Sequence, residues 1–324
     1  MKLPAPFIQL PLLFDAQGLA AEVAALGEGA WRPHPQGFAG NSMLPLVAVE
    51  GDAGNEAFAG VMSPTPELRR CPLLQQVLVS LQATVGRTRL MRLAGQAEVK
   101  RHVDQGYYWA ERVRVHVPIV TQPTVRFECG GAAINMAAGE CWIFDTWRQH
   151  RVLNDAAASR IHLVVDTVGG KGFWELVERG RTHDASPANW QPTTLPWAAP
   201  RELQIGCESR NVPAVMTPWE LSAHLEFLLS ETLPHPQVAV LRLHVQRLLT
   251  DWRGLWARHG DEAASRPLFR AAFDAFTATV KPLAEGVLLV NETRWIDGVM
   301  LMLSRAAVPP PNAGSVRRSP NNMA

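Results

Sequence analysis

The residues in this chain whose types and spacing could do chemistry are His102-x-Asp104, His150 and Arg160. Two imidazoles and a carboxylate, with coordination positions left over, form the facial set that holds a non-haem Fe(II) and leaves it open to outside ligands. A strand sends alternate side chains to one face. In EVKRHVD, Glu98, Lys100, His102 and Asp104 are therefore expected to point one way. In RVRVHVPIV, Arg112, Arg114 and His116 share a face, while Val113, Val115, Val117 and Ile119 take the other. In SRIHLVVD, Arg160, His162 and Asp166 stand opposite Ile161, Leu163 and Val165. A solvated outer face of an antiparallel sheet would carry the same pattern. The metal reading draws on placement. His-x-Asp sits on an early strand, His150 on a late one, and Arg160 follows on the next strand, so all can reach one cavity. Trp142 and Phe144 supply bulk beside His150 that could keep water out.

The elements that must position these residues form a β-rich block. Strands are expected at 88–94, 97–103, 112–121, 124–128, 132–137, 140–145, 149–154 and 160–167. Turn signals at Gly95, Gly106, Gly130-Gly131 and Gly139 break them, which suggests a barrel or the double-sheet jelly roll of cupins. Before the block, 7–14 reads as a strand, and Asp15 caps a helix with Leu19, Val23 and Leu26 on one stripe. Residues 31–65 read as loops framing a site mouth, with one β-like stretch at 43–49. From Pro66 a helical pattern (Leu73, Val77, Leu78, Leu81) is expected to run until Gly86 closes it. Tyr107, Tyr108 and Trp109 follow the Asp104 turn, as a lid or as core aromatics.

After Gly169-Gly170 the composition changes. The expected organisation is 1–170 as the β domain with its N-terminal helices, 171–213 as linker, 214–305 as a helical domain and 306–324 as a disordered tail. Thr217-Pro218-Trp219-Glu220 is a capping box with Pro at the first helical position. Leu221, Leu225, Leu228 and Leu229 continue it as an apolar stripe. Pro236 opens a second helix that Gly260 ends, and Phe269, Phe273, Phe276 and Val280 mark a third.

A formal net charge of +1 argues against nucleic acid or a membrane surface as partner. Cys71, Cys129, Cys141 and Cys207 show neither C-x-x-C nor zinc-like spacing and read as buried, reduced thiols. No apolar run approaches the roughly 20 residues of a membrane span. Pro4, Pro6 and Pro11 interrupt the apolar N-terminus, and a cytoplasmic location is expected.

RLMRLAGQAEVKRHVD, RVRVHVPIVT, NMAAGECWIFDTWRQH and SRIHLVVD, in this order, resemble the aspartyl/asparaginyl β-hydroxylase family of Fe(II)/2-oxoglutarate dioxygenases. The resemblance is close over about 66–170. More loosely, through the helical segment, the chain is similar to the bacterial branch typified by L-proline cis-4-hydroxylase. It implies a double-stranded β-helix with His102, Asp104 and His150 as Fe(II) ligands, Arg160 on the distal carboxylate of 2-oxoglutarate, and His116 as a further cosubstrate contact. It implies O2 as the second cosubstrate and hydroxylation with release of succinate and CO2. Asp104 sets the chain with the bacterial enzymes, because animal members lack the acidic ligand. That difference weakens any transfer of their protein-substrate specificity.

Arg112 and Arg114 on a cavity face require anionic partners. A carboxylate-bearing substrate would supply them, with Arg92 a weaker candidate of the same kind; for Arg112 an in-chain Asp or Glu serves equally. The expected substrate is an amino acid, free or in a small peptide. The rivals are hydroxylation of Asp or Asn in a protein, and a cupin-like binding module without turnover. The helical segment leaves room for a homodimer.

Overall fold

The computed structural model describes residues 1–310 apart from 36 and 197–203. The chain opens with β1 (Phe7–Leu13), α1 (Ala16–Ala25), β2 (Arg32–Pro33), β3 (Asn41–Val49) and β4 (Met62–Pro64). Two short helices, α2 (Pro66–Arg69) and α3 (Pro72–Ser80), precede β5 (Thr84–Leu93), β6 (Ala97–His102) and α4 (Tyr107–Glu111). The block continues through β7 (Val113–Val120), β8 (Val125–Cys129), β9 (Ala132–Ile134), β10 (Glu140–Phe144), β11 (His150–Asn154) and β12 (Arg160–Gly169). Then come α5 (Lys171–Glu178), β13 (Arg181–Thr182), β14 (Thr193–Thr194), α6 (Pro218–Ser230), α7 (Val238–His259), α8 (Arg266–Leu283) and α9 (Trp295–Leu303).

Two sheets result. The larger has ten strands in the order β13-β1-β10-β7-β12-β5-β3-β2, with β14 on β1 and β4 on β3; the smaller runs β6-β11-β8-β9. Among the described strands pairing is antiparallel except between β1 and β14, and an isolated parallel bridge joins Val85 to Cys207. The apolar alternation of the strands decides what covers each face. Val113, Val115, Val117 and Ile119 of β7, Cys141 and Ile143 of β10, and Leu163 and Val165 of β12 join Leu19, Val23, Leu74, Val77, Leu78 and Phe173 in one core. Helices α1, α3 and α5 thus cover the outer face of the large sheet. The opposite residues, Phe7, Leu93, Trp142 and Phe144, meet Phe127, Cys129 and Val152 of the small sheet in a second core. The polar side chains of β7 and β12 belong to that inner face.

The chain crosses between the sheets six times from β5 to β12, and the first crossing, β5 to β6, lies beside the last, β11 to β12. Buried Asn154 ties the crossovers together: its amide donates to Leu93 O at 3.1 Å and to Ala94 O and Ala158 O at 2.9 Å. Gly95 lies where a Cβ would stand 2.1 Å from Ala157 O, so the two connections pack backbone to backbone.

Three sequence expectations change. The helical pattern from Pro66 ends at Ser80, and Gly86 lies within β5. The strand begins early because Thr84 and Val85 pair with Gly169 and Thr167 of β12. The 171–213 stretch contains α5, whose Phe173 and Leu176 are core residues, and its described residues up to 209 group with the β unit. Of the expected tail, Ala306, Ala307 and Val308 are buried and Met216 N–H donates to Ala307 O; 311–324 lie outside the described residues. The second compact unit comprises 105–110 and, among described residues, 210–310. Its core includes Leu225, Leu241, Trp252, Phe269, Phe273 and Trp295. Tyr107 belongs to this unit, donating its hydroxyl to Glu220 at 2.8 Å and standing edge-on to His224.

Candidate metal centre

β6 ends on His102 and β11 begins on His150, and the two residues are register partners. Adjacent strands therefore deliver both imidazoles to one place, with ring centroids 4.2 Å apart. Asp104 lies two residues past the end of β6, so alternation does not place it. Its N–H bonds Thr146 O at 3.1 Å, and its carboxylate turns back between the rings. Oδ1 stands 3.9 Å from His102 Nε2 and Oδ2 stands 3.9 Å from His150 Nε2. One ligand atom from each of the three residues lies within 4.8 Å of the others. Bonds of about 2.1 Å let two ligands of one ion span roughly 4 Å, so the carboxylate and either imidazole could share an ion.

The nitrogens that point away fix the chemistry of those that point in. His102 Nδ1 is 2.7 Å from Lys100 O, and His150 Nδ1 is 2.9 Å from Arg148 O. A carbonyl only accepts, so each Nδ1 carries the proton and each Nε2 presents a lone pair, as a metal ligand must. Burial lowers the pKa of His150 to about 4, partly offset by Asp104, and the ring is neutral at pH 7. Burial pushes the Asp104 carboxyl up, but Arg114, His150 and His102 outweigh it and hold the group below its usual value. Two imidazoles with Nε2 turned inward and an ionised carboxylate suit Fe(II).

The large sheet contributes the surroundings. Arg114 donates from Nη1 to Asp104 Oδ2 at 2.8 Å and from Nε to Asp166 Oδ1 at 2.9 Å. Asp166 is its register partner on β12, and Arg89 Nη2 lies 3.8 Å from Asp166 Oδ2. The anions beside Arg114 thus include one of the three ligand candidates. Arg112 precedes β7, so the alternation does not bind it to the Arg114 face. Its Nε and Nη2 donate to Glu208 Oε1 and Oε2, both at 2.8 Å and buried. Arg92 shares the Leu90 face of β5; it holds Glu28 at 2.8 Å and stacks over Trp31. The structure brings Arg114 to the ligand group and engages Arg112 and Arg92 with carboxylates elsewhere.

Arg160, His116 and His162 are all buried. Among the described residues, Arg160 Nε and Nη1 and the Nε2 atoms of both histidines have no hydrogen-bond partner. Burial lowers Arg160 to about 10, which leaves it cationic at pH 7. A buried cation with unused N–H groups is costly unless an anion joins it, and a carboxylate is the ligand that planar donor fork suits. Phe144 packs against both His116 and His150, with centroids 5.4 and 4.9 Å away, and Phe127 closes on His116 at 5.2 Å. These rings form an apolar wall.

Several neighbours escaped the sequence reading. Arg87 and Arg89 alternate in RTR as Arg112 and Arg114 do in RVR, a signal that could have found them. His34 and Phe38, within a loop of no ligand-like spacing, form a ring series to His102, with centroids 5.9 and then 6.5 Å apart. Burial lowers His34 to about 3, and Arg89, Arg114 and Arg87 lower it further against the opposing pull of Asp104. The four cysteines are free thiols, three of them buried; burial pushes Cys71 and Cys129 up to about 12.

Residues 58–169, which include His102, Asp104, Arg114, His116, His150, Arg160 and His162, match the family model described as aspartyl/asparaginyl β-hydroxylase. Among solved structures the chain is similar to a Pseudomonas putida prolyl-4-hydroxylase, at 16% identity over 51% of this chain and 92% of that one, with a TM-score of 0.36. It is also similar to an oxidoreductase of the 2OG-Fe(II) oxygenase family from Burkholderia pseudomallei, at 13% identity over 48% and 81%, with a TM-score of 0.33. A prolyl hydroxylase from Trichoplax adhaerens, in complex with a hypoxia inducible factor peptide, aligns at 12% identity over 53% and 87%, with a TM-score of 0.37. No curated protein matches the chain.

Proposed function

We propose that this chain is an Fe(II)/2-oxoglutarate-dependent dioxygenase that hydroxylates an unactivated C–H bond of an amino acid, free or in a small peptide, releasing succinate and CO2. The observation that carries the reading is the convergence of His102, Asp104 and His150 beside an inner face holding Arg160 with unused donors. The two sheets would be the walls of a double-stranded β-helix. In its roles, Arg160 and His116 bind the cosubstrate, Arg114 orients Asp104, and Phe144 and Phe127 exclude water. Fe(II) with 2-oxoglutarate and O2 supplies the oxidant. The non-catalytic cupin-like alternative explains neither the metal-ready tautomers nor the unused donors.

Arg89, Arg114 and Arg87 bear on the His34 ring, with Asp104 opposing them and Asp166 paired to Arg114 and Arg89. The α-carboxylate of an amino acid fits this group of charges, and Arg114, Arg89 and Arg87 are its proposed neighbours. No described helix is long and apolar enough to cross a membrane. A cytoplasmic location and a homodimer through the helical unit remain part of the proposal.

Succinate release with Fe(II), 2-oxoglutarate and O2, measured across free amino acids and matched capped tripeptides, tests the reading. Turnover of at least one free amino acid, lost on amidation of its carboxylate, is expected. Turnover of capped peptides alone would transfer the assignment to peptidyl or protein substrates. No turnover, with no binding of 2-oxoglutarate to the metal-loaded protein, would end it.

A further inference from the structure

His116 on β7 and His162 on β12 face one another inside the sheet sandwich, Nδ1 to Nδ1 at 3.3 Å. Both rings are buried, and each has an Nε2 with no partner among the described residues. Burial, reinforced by the nearby Arg160 cation, holds each ring well below its ordinary pKa, so both are neutral. Two neutral imidazoles that appose Nδ1 atoms can place only one proton between them. Two protons would collide, and none would set lone pair against lone pair. The ring that donates from Nδ1 therefore has a bare Nε2, and the ring that accepts carries its single proton on Nε2.

Two arrangements satisfy this count. If His116 donates, its Nε2 offers a lone pair and cannot bond a carboxylate, while His162 adds an Nε2–H to a space already crowded by the Arg160 donors. If His162 donates, His116 presents Nε2–H to an anion, and the bare Nε2 of His162 carries a lone pair that suits the Arg160 field. An anion bound at Arg160 favours the second arrangement.

We propose that His162 is a positioning residue, donating its Nδ1–H to His116 Nδ1 and so locking His116 as the Nε2–H tautomer that bonds a carboxylate of 2-oxoglutarate. The inference rests on the cosubstrate reading above. His162 touches no reacting atom. Its contribution is to spare His116 the choice between tautomers each time the cosubstrate binds.

The test uses the full chain loaded with Zn(II), which holds the site without turnover. With 15N-labelled histidine and saturating 2-oxoglutarate, long-range 15N–1H correlation should show His116 protonated at Nε2 and His162 at Nδ1. His116 protonated at Nδ1 in that complex would overturn the proposal. Calorimetry on variants supplies a second readout. His162→Leu removes the donor and should weaken 2-oxoglutarate about tenfold, the scale of one hydrogen bond to a charged network. His162→Asn, whose amide N–H falls near the Nδ1 position, should stay within about threefold of the parent protein. Parent-like affinity in His162→Leu, or equal losses in the two variants, would reduce His162 to packing and refute the role. Should the parent chain itself fail to bind 2-oxoglutarate, the cosubstrate reading and this inference fall together. Should His162→Leu not fold, the parent spectrum and His162→Asn still decide.

Discussion

Two arginines on the inner face have different duties that substitution can separate. Arg114 joins Asp104 to buried Asp166. Arg114→Met is expected to leave the three ligands in place but weaken metal binding by roughly 10- to 100-fold, as losses around a ligand typically do. Competition against a chelating dye reads this directly, and unchanged affinity would contradict the orienting role. Arg160 donates to no described residue from Nε or Nη1. Its loss in Arg160→Ala should leave metal affinity nearly unchanged and weaken 2-oxoglutarate by hundreds-fold or more, since unpairing a buried charged bond costs on the order of 3–5 kcal/mol. Arg160→Lys should recover only part, because an ammonium cannot bond both carboxylate oxygens in one plane. Calorimetric titration with each ligand separates the two residues; equal effects on both ligands would contradict the division.

Among the elements, the first and last of the six crossings between the sheets matter most to the site. One leads from β5 into the strand that ends at His102, and the other leads from β11, which opens at His150, to Arg160 at the start of β12. Asn154 bonds carbonyls of both connections. Asn154→Ala takes the amide donor from three carbonyls, that of Leu93 in a buried bond, and should destabilise the chain by about 1–3 kcal/mol. Urea unfolding would measure it. These two connections adjoin the strands that carry His102 and His150, so the metal group should loosen with them, and weaker metal binding is expected alongside. A variant as stable as the parent would show that the crossovers hold by backbone packing alone.

At the scale of the molecule, the buried neutral histidines make stability depend on pH. Folding lowers His150 to about 4 and His34 to about 3, and His116 and His162 lie well below 6.5, burial being the first cause in each. Unfolded, each would take up a proton near pH 6.5. Below that value the unfolded chain binds more protons than the folded one, so stability is full above about pH 7 and falls as pH drops towards 4. At pH 5.5 each group costs roughly 1.4 kcal/mol, about 5–6 kcal/mol for the four. Urea midpoints of the metal-free protein should therefore fall steeply between pH 7.5 and 5.5. A flat profile would show that the folded chain accommodates these charges.

How much of this was written in the sequence depends on the range of the forces involved. Local periodicity located the strands from β5 to β12 to within a few residues, along with the two faces of β7 and β12 and the capped start of α6, because alternation and capping act within a few residues. The spacing of His102, Asp104, His150 and Arg160, with the family resemblance, marked the candidate site. The tertiary structure decided what depends on partners distant in the chain. Asp104 lies beyond its strand, and its direction comes from Thr146, 42 positions on, and from Arg114. Arg112 and Arg114 look alike in RVR, yet Glu208 takes one and Asp104 with Asp166 the other. Gly86 reads as a helix stop and lies in a strand because β12 pairs beside it. The apposition of His116 with His162 follows from the register of β7 against β12, a relation that neither strand's own sequence encodes.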